Sequence, residues 1–154
     1  VPVCLVSHAA WMTGIGEKVR ALSGLPQINA VLVNPLAAMP PDKTARVFRG
    51  LSAALLAAHQ TQSKMPGPFG NAVELLAFVK ERGNGLEASA LQVAPVIADI
   101  LRALRESRSC VWAAVSGGGP TCFALYDPEA DPRAVAEALA AKQPDWWVRA
   151  VTLT

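Results

Sequence analysis

The sequence predicts an α+β fold in which helices pack on a mostly antiparallel sheet, and three observations carry that reading. Short β-branched and aromatic runs bounded by turn residues recur near both ends of the chain, as strands require. Between them, apolar residues fall three and four apart, the period of helices with one buried face. The C-terminal part then runs helix, strand, glycine loop, strand, helix, strand, which with one earlier strand makes the split βαβ arrangement called ferredoxin-like. With 154 residues, the chain is the size of one ordinary domain and can bury about 68–70% of its unfolded surface without disulfide staples.

Taken in order, Val1 to Val6 and Asn29 to Val33 read as strands, and "GIGEKVRAL" between them as a glycine turn followed by another strand. After the proline-rich "NPLAAMPPDK", the segment "TARVFRGLSAALLAAHQ" places Val47, Leu51 and Leu55 on one helical face, with Thr44 as N-cap. "QSKMPGPFG" breaks that helix with prolines and glycines. "NAVELLAFVKER" is a second helix, stopped by Gly83 and Gly85. In "LEASALQVAPVIADILRALRES", Pro95 ends one short helix and occupies the first turn of the next, where its missing N–H costs nothing. Val96, Ile97, Ile100, Leu101 and Leu104 form that helix's buried stripe. "CVWAAV" and "TCFALY" are strands, Asp131 and Pro132 open a last helix, and "WWVRAVTL" is the closing strand. The expected picture is one helical layer on the sheet.

Composition narrows the function classes. Fourteen basic against twelve acidic residues leave a formal charge of +2. Arg102, Arg105 and Arg108 sit among acidic neighbours, so no concentrated nucleic-acid surface is expected. Apolar stretches such as "AVLV" and "VWAAV" fall far short of the roughly 20 residues that span a bilayer. Cys4, Cys110 and Cys122 are odd in number and widely spaced without a CxxC pair, which argues against a disulfide framework or a zinc site and for a reducing cytoplasm. The chain opens directly into "VPVCLVS" without a cap or polar lead-in, and reads as the continuation of a longer protein.

The stretch "VSGGGPTCFALYD", Val115 to Asp127, is the most unusual feature. Three glycines permit positive φ angles and close approach of amide N–H groups to another backbone or to an anion. It is no Walker P-loop, which needs GxxxxGK[ST] between a strand and a helix. From the residues alone, a tight strand connection and a phosphate contact both stand. His8 and His59 have no acid or nucleophile at helical spacing and read as packing or surface groups. Trp146 and Trp147 alternate across a strand, one inward and one outward, and Cys122 among apolar neighbours reads as an inert buried thiol. No constellation forms a complete catalytic site.

Four segments, in order, nevertheless resemble the C-terminal part of the 4-diphosphocytidyl-2-C-methyl-D-erythritol kinase family, within the GHMP kinase superfamily that includes galactokinase, homoserine kinase and mevalonate kinase. "VPVCLVSHAAWMTGIGEKV" is similar to a segment of V-P-V, small-residue turn and G-x-G-E. "VLVNP" followed by "TARVF" resembles a strand, proline turn and T-x-x-[VI]-F helix start. "GNGLEASALQVAPVI" resembles an N-D-L-E helix, and "VSGGGPTCFALYD" the superfamily's S-G-S-G-P-T-C-F motif. Two departures stand out, Gly118 for serine and Gly85 for aspartate; the first removes a hydroxyl and the second a helix N-terminal carboxylate.

The resemblance implies a GHMP-kinase C-terminal domain over residues 29–154, with residues 1–28 the end of an N-terminal kinase domain. It implies an enzyme that transfers a phosphoryl group from ATP, with Mg2+, to the 2-hydroxyl of 4-diphosphocytidyl-2-C-methyl-D-erythritol, in non-mevalonate isoprenoid biosynthesis. Phe48 would stack on the cytosine ring and Thr44 would set a hydroxyl near the catalytic aspartate. Ser116, Gly117, Gly118, Gly119 and Thr121 would lie beside the nucleotide's phosphate loop. The family's catalytic aspartate immediately precedes V-P-V, and its lysine and P-x-x-x-G-L-G-x-x-S loop lie further upstream. No catalytic or metal-binding residue is therefore expected in these residues, nor is a cofactor bound to them alone. The expected partners are the small-molecule substrate and the N-terminal kinase half, with no nucleic acid or membrane. Two alternatives remain at this point: a GHMP kinase for another small alcohol, and a non-catalytic ferredoxin-like ligand-binding module.

Overall fold

The computed structural model of the chain describes residues 9–13, 17–51 and 67–153. The expected strand at Val1 to Val6, the position of Leu55 and both histidines lie outside the described residues. Strands β1 (Ala10–Thr13) and β2 (Lys18–Ala21) form a small antiparallel sheet of their own, closed by Leu22 N–H donating to the Ala9 carbonyl at 2.8 Å. The sequence reading anticipated β2 but not β1; "AWMT" is too short for its alternation to stand out.

The main sheet contains β3 (Ile28–Asn34), β4 (Cys110–Val115), β5 (Cys122–Tyr126) and β6 (Trp147–Leu153). Its order is β4-β5-β3-β6 and every neighbouring pair is antiparallel. The first strand lies between the third and the last, which is the expected ferredoxin-like split βαβ topology. Helices α1 (Lys43–Arg49), α2 (Ala72–Arg82), α3 (Glu87–Val93), α4 (Val96–Arg105) and α5 (Pro132–Lys142) complete the described architecture.

Local chemistry fixes the helix starts. Asn71 caps α2 by accepting from Glu74 N–H at 3.0 Å, while the Glu74 carboxylate accepts from the N–H of Gly70, one residue before the cap, at 2.8 Å, a variant of the capping box. Asp131 accepts from Arg133 N–H at 2.9 Å, and Pro132 occupies the first helical position of α5. Helix α1 departs from expectation. It begins at Lys43, with Asp42 in the cap position and no side-chain cap, so Thr44 lies inside the first turn rather than at its N-cap.

The core occupies both faces of the sheet. Val31, Val33, Val115, Cys122, Ala124 and Tyr126 pack on one face against Ile97, Ile100, Leu101 and Leu104 of α4 and Leu139 of α5. Each such aliphatic side chain contributes about 1.5–3 kcal/mol when fully buried. On the other face Leu75 and Leu76 of α2 meet Ile28, Ala30 and Leu125, so the single helical layer expected from sequence becomes two. The cause is visible in β3: "INAVLVN" is apolar on both sides of its pleat and leaves neither face for water.

Tyr126, the only tyrosine, is fully buried with its hydroxyl 2.8 Å from Ser107 Oγ. Burial pushes its phenol from 10.0 to about 12, and likewise the Cys122 thiol from 9.0 to about 12. In both cases the native state keeps a proton that the unfolded chain gives up first, so stability falls as pH rises. The melting temperature is expected to drop between pH 9 and 12, with tyrosinate absorbance rising only as the protein unfolds. A tyrosinate signal near pH 10 from protein still folded by circular dichroism would contradict this assignment.

Candidate functional site

The site forms where β4, β5 and the N-terminal turn of α1 meet. Between β4 and β5 the chain reverses through Ser116 to Gly119, with Gly119 N–H donating to Ser116 O at 3.0 Å and Ser116 N–H to Thr121 O at 2.8 Å. Gly117 has φ +56° and Gly118 does not share the positive φ, the pattern of a type II′ turn that suits a hairpin. Gly119 has φ +70°, and a Cβ there would stand 2.8 Å from Ile97 Cδ1 and 3.0 Å from Val115 Cγ1. Around Gly117 a Cβ would meet nothing within 4 Å. One glycine thus lets the loop press on the core, and the other faces open space.

Three side chains hold this loop. Asn84, between α2 and α3, donates from Nδ2 to Val115 O at 2.8 Å and Gly117 O at 2.9 Å. Lys43 Nζ, at the start of α1, donates to Gly118 O at 3.2 Å and also to Gly119 O. Asn34, at the end of β3, donates to Thr121 Oγ1 at 2.8 Å and accepts from Leu36 N–H at 2.8 Å. The candidate residues Ser116 through Thr121 are thereby tied to the turn after β3 and to α1.

Helix α1 is anchored by Val47, which is fully buried and would stand 3.4 Å from a Cβ on Gly118. Ser89 Oγ of α3 donates to Val47 O at 2.6 Å. Residues four apart share a helix face. Lys43 and Val47 therefore form the side that meets the glycine loop, while Thr44 and Phe48 share the adjacent side. Thr44 is exposed and Phe48 is 56% exposed. Phe48 is not a core residue of the helix, because Val47 holds the buried position of "TARVF". Lys43, Arg46 and Arg49 give this short helix a cationic character against the nearby Asp42.

Elsewhere the chemistry is quiet. Cys122 is buried and its thiol is held up to about 12, as the reading of an inert thiol requires. Cys110 is raised as well, by burial above all. Trp146 packs against the core and Trp147 is the more exposed of the pair, as the strand alternation predicts. Among the described residues no three His, Cys, Asp or Glu side chains group as a metal site, and no helix is long and apolar enough to cross a membrane.

Sequence reasoning missed Lys43, Asn84 and Asn34 as loop-holding residues. Asn84 carries a signal in hindsight, an amide side chain between two glycines at a helix end, where asparagine commonly bonds to backbone. Lys43 carries none, since a lysine after "PPD" reads as surface.

A family model for the C-terminal domain of GHMP kinases matches residues 56–145. The chain belongs to the GHMP kinase C-terminal family. Among curated relatives, 4-diphosphocytidyl-2-C-methyl-D-erythritol kinase of Dinoroseobacter shibae is 39% identical across 99% of this chain and 51% of its own length. The same-named kinase of Rhodopseudomonas palustris is 44% identical across all of this chain and 52% of its own length. A crystal structure of 4-(cytidine 5'-diphospho)-2C-methyl-D-erythritol kinase superposes with a TM-score of 0.63 at 25% identity, covering 97% of this chain and 52% of that one. The chain spans about half the length of the curated relatives it matches. The resemblance inferred from its motifs is borne out, and so is its α+β architecture.

Proposed function

We propose that this chain supplies the C-terminal, substrate-side part of an ATP-dependent kinase that phosphorylates the 2-hydroxyl of 4-diphosphocytidyl-2-C-methyl-D-erythritol. The observation that carries the reading is the exposure of Phe48 on the same helix face as Thr44, on the short helix that braces the glycine loop. An aromatic left open to solvent offers a nucleobase a stacking surface, and the adjacent cations suit a diphosphate. The identity to kinases named for this substrate supports the same choice over other small alcohols. In this reading residues 29–154 form the substrate-side domain, and residues 1–28 belong to the preceding kinase domain; the separate β1-β2 sheet agrees with such a boundary. The enzyme would work in the reducing cytoplasm, in non-mevalonate isoprenoid biosynthesis.

Phosphoryl transfer depends mainly on positioning and on neutralising charge on the moving group. Phe48 would fix the cytosine, and the Thr44 hydroxyl would orient the reacting alcohol. The glycine loop fits an anion: the amides of Gly117 and Gly118 have no partner among the described residues, and the space beside Gly117 is open. ATP would supply the phosphoryl group there. Mg2+ would arrive on the nucleotide's own phosphates.

The test compares two proteins for ADP release with ATP, Mg2+ and 4-diphosphocytidyl-2-C-methyl-D-erythritol: the full-length gene product, and the chain Val1–Thr154 alone. The full-length protein should turn over. The chain alone should show native circular dichroism and no activity, because the resemblance places the catalytic aspartate, the lysine and the nucleotide loop outside these residues. Turnover by the short chain, verified by mass, would sink the division of labour, and a full-length protein active only on mevalonate or homoserine would sink the substrate.

A further inference from the structure

The carbonyls and the amides of the glycine loop are treated unequally by the residues around them. Every carbonyl from Val115 to Gly119 is occupied: Val115 and Gly117 by Asn84, Ser116 by Gly119 N–H, and Gly118 and Gly119 by Lys43. Of the amides in the loop, Ser116 N–H goes to Thr121 O and Gly119 N–H to Ser116 O. Only the N–H groups of Gly117 and Gly118 are left without a partner among the described residues. We propose that Lys43 and Asn84 are positioning residues that turn the loop carbonyls inward, so that the surface of the loop presents donors alone to an anion.

The peptide plane supplies the mechanism. In a trans peptide the C=O of one residue and the N–H of the next point in opposite directions. Asn84 holds Gly117 O on the protein side, which aims Gly118 N–H the other way. The Ser116 carbonyl is held across the turn by Gly119 N–H, which aims Gly117 N–H out of it. A glycine peptide is free to flip, and a flipped Gly117 or Gly118 carbonyl would confront a phosphate oxygen with like charge. Lys43 opposes that flip with an ammonium that has donors and no acceptor. Asn84 is itself fixed, because its Oδ1 accepts Leu86 N–H at 3.0 Å at the head of α3. A lysine beside a phosphate loop would ordinarily be assigned to the phosphate itself; here its geometry assigns it to the backbone.

This inference rests on the kinase reading for its ligand, a nucleotide phosphate, but its test separates the two. In the full-length protein labelled with 15N-glycine, Lys43→Met is expected to move or broaden the Gly118 and Gly119 amide resonances. It should abolish the shift that inorganic phosphate or ADP causes at Gly117 and Gly118. The KM for ATP should rise about tenfold, the scale of one lost charge-assisted hydrogen bond, with a smaller change in KM for the alcohol substrate. Lys43→Arg should restore most of the effect, since guanidinium also donates to carbonyls. Asn84→Asp, which keeps the Oδ1 acceptor and loses both donors, should act like Lys43→Met. Recording each variant's melting temperature separates misfolding from misorientation. Wild-type turnover accompanied by unchanged glycine resonances and unchanged KM for ATP in Lys43→Met would overturn the clamp and leave the kinase standing. Phosphate-induced shifts that Lys43→Met abolishes, in a wild-type protein without ATP turnover, would do the reverse. If neither phosphate nor ADP perturbs Gly117 and Gly118 in the wild type, the donor surface serves no anion and the proposal fails.

Discussion

If the proposed function holds, Phe48→Ala in the full-length protein is expected to raise the KM for the cytidyl substrate by roughly 5- to 150-fold, the equivalent of about 1–3 kcal/mol of lost base stacking. The KM for ATP and the melting temperature should stay near wild type. Exposure makes this a discriminating substitution: with 56% of Phe48 already open to water, its removal leaves no core cavity. The buried neighbour is the control. Val47 is fully buried against the glycine loop and α3, so Val47→Ala should lower stability and affect both constants together. If uniform binding is what Phe48 supplies, kcat stays largely intact while KM rises. Equal rises in both KM values for Phe48→Ala, or a loss of folding, would return Phe48 to a structural role.

How much of this was legible beforehand differs between backbone and site. Where a segment carried its own punctuation, the sequence located it within a residue or two: Asn71 and Gly83 bracket α2, Pro95 divides α3 from α4, and Asp131 with Pro132 opens α5. Helix α1 was misread at its start because Thr44 is a good capping residue in a place where the backbone had already turned helical at Lys43. The second helical layer was hidden because β3 is apolar throughout, and a continuous apolar run does not say what covers each face. The candidate residues of the loop were visible as a motif, since three glycines and a proline are conspicuous. Their supports were not. Asn84 and Lys43 reach the loop across 31 and 75 positions of chain, and contacts over such separations leave no periodic trace. The same limit applies to Phe48, for which only the fold decides whether Val47 or Phe48 turns inward.

Gly119→Val is expected to destabilise the domain severely, whereas Gly117→Val should cost much less stability, although both glycines have positive φ. The shared cost is backbone strain, on the order of 1–3 kcal/mol for a β-branched residue held at such an angle. Gly119 adds a collision: its new Cβ would stand 2.8 Å from Ile97 Cδ1 and 3.0 Å from Val115 Cγ1. Both partners belong to the buried core beneath the loop, so neither can swing into solvent. Overpacking of that kind adds typically about 1–3 kcal/mol, and the two costs together are a large fraction of the stability of a small domain, about 5–15 kcal/mol. At Gly117 the Cβ meets nothing within 4 Å, so strain is the only structural cost. Its damage should appear instead in function, because the added branches would crowd the space in front of the Gly117 and Gly118 amides. Thermal melts and steady-state kinetics on the two variants separate these effects. Gly119→Val should be lost to unfolding or melt far below wild type, and Gly117→Val should remain folded with a raised KM for ATP. Equal melting temperatures for the two variants would show that strain alone governs the loop, and a Gly117→Val enzyme with wild-type KM for ATP would remove the nucleotide from its outer face.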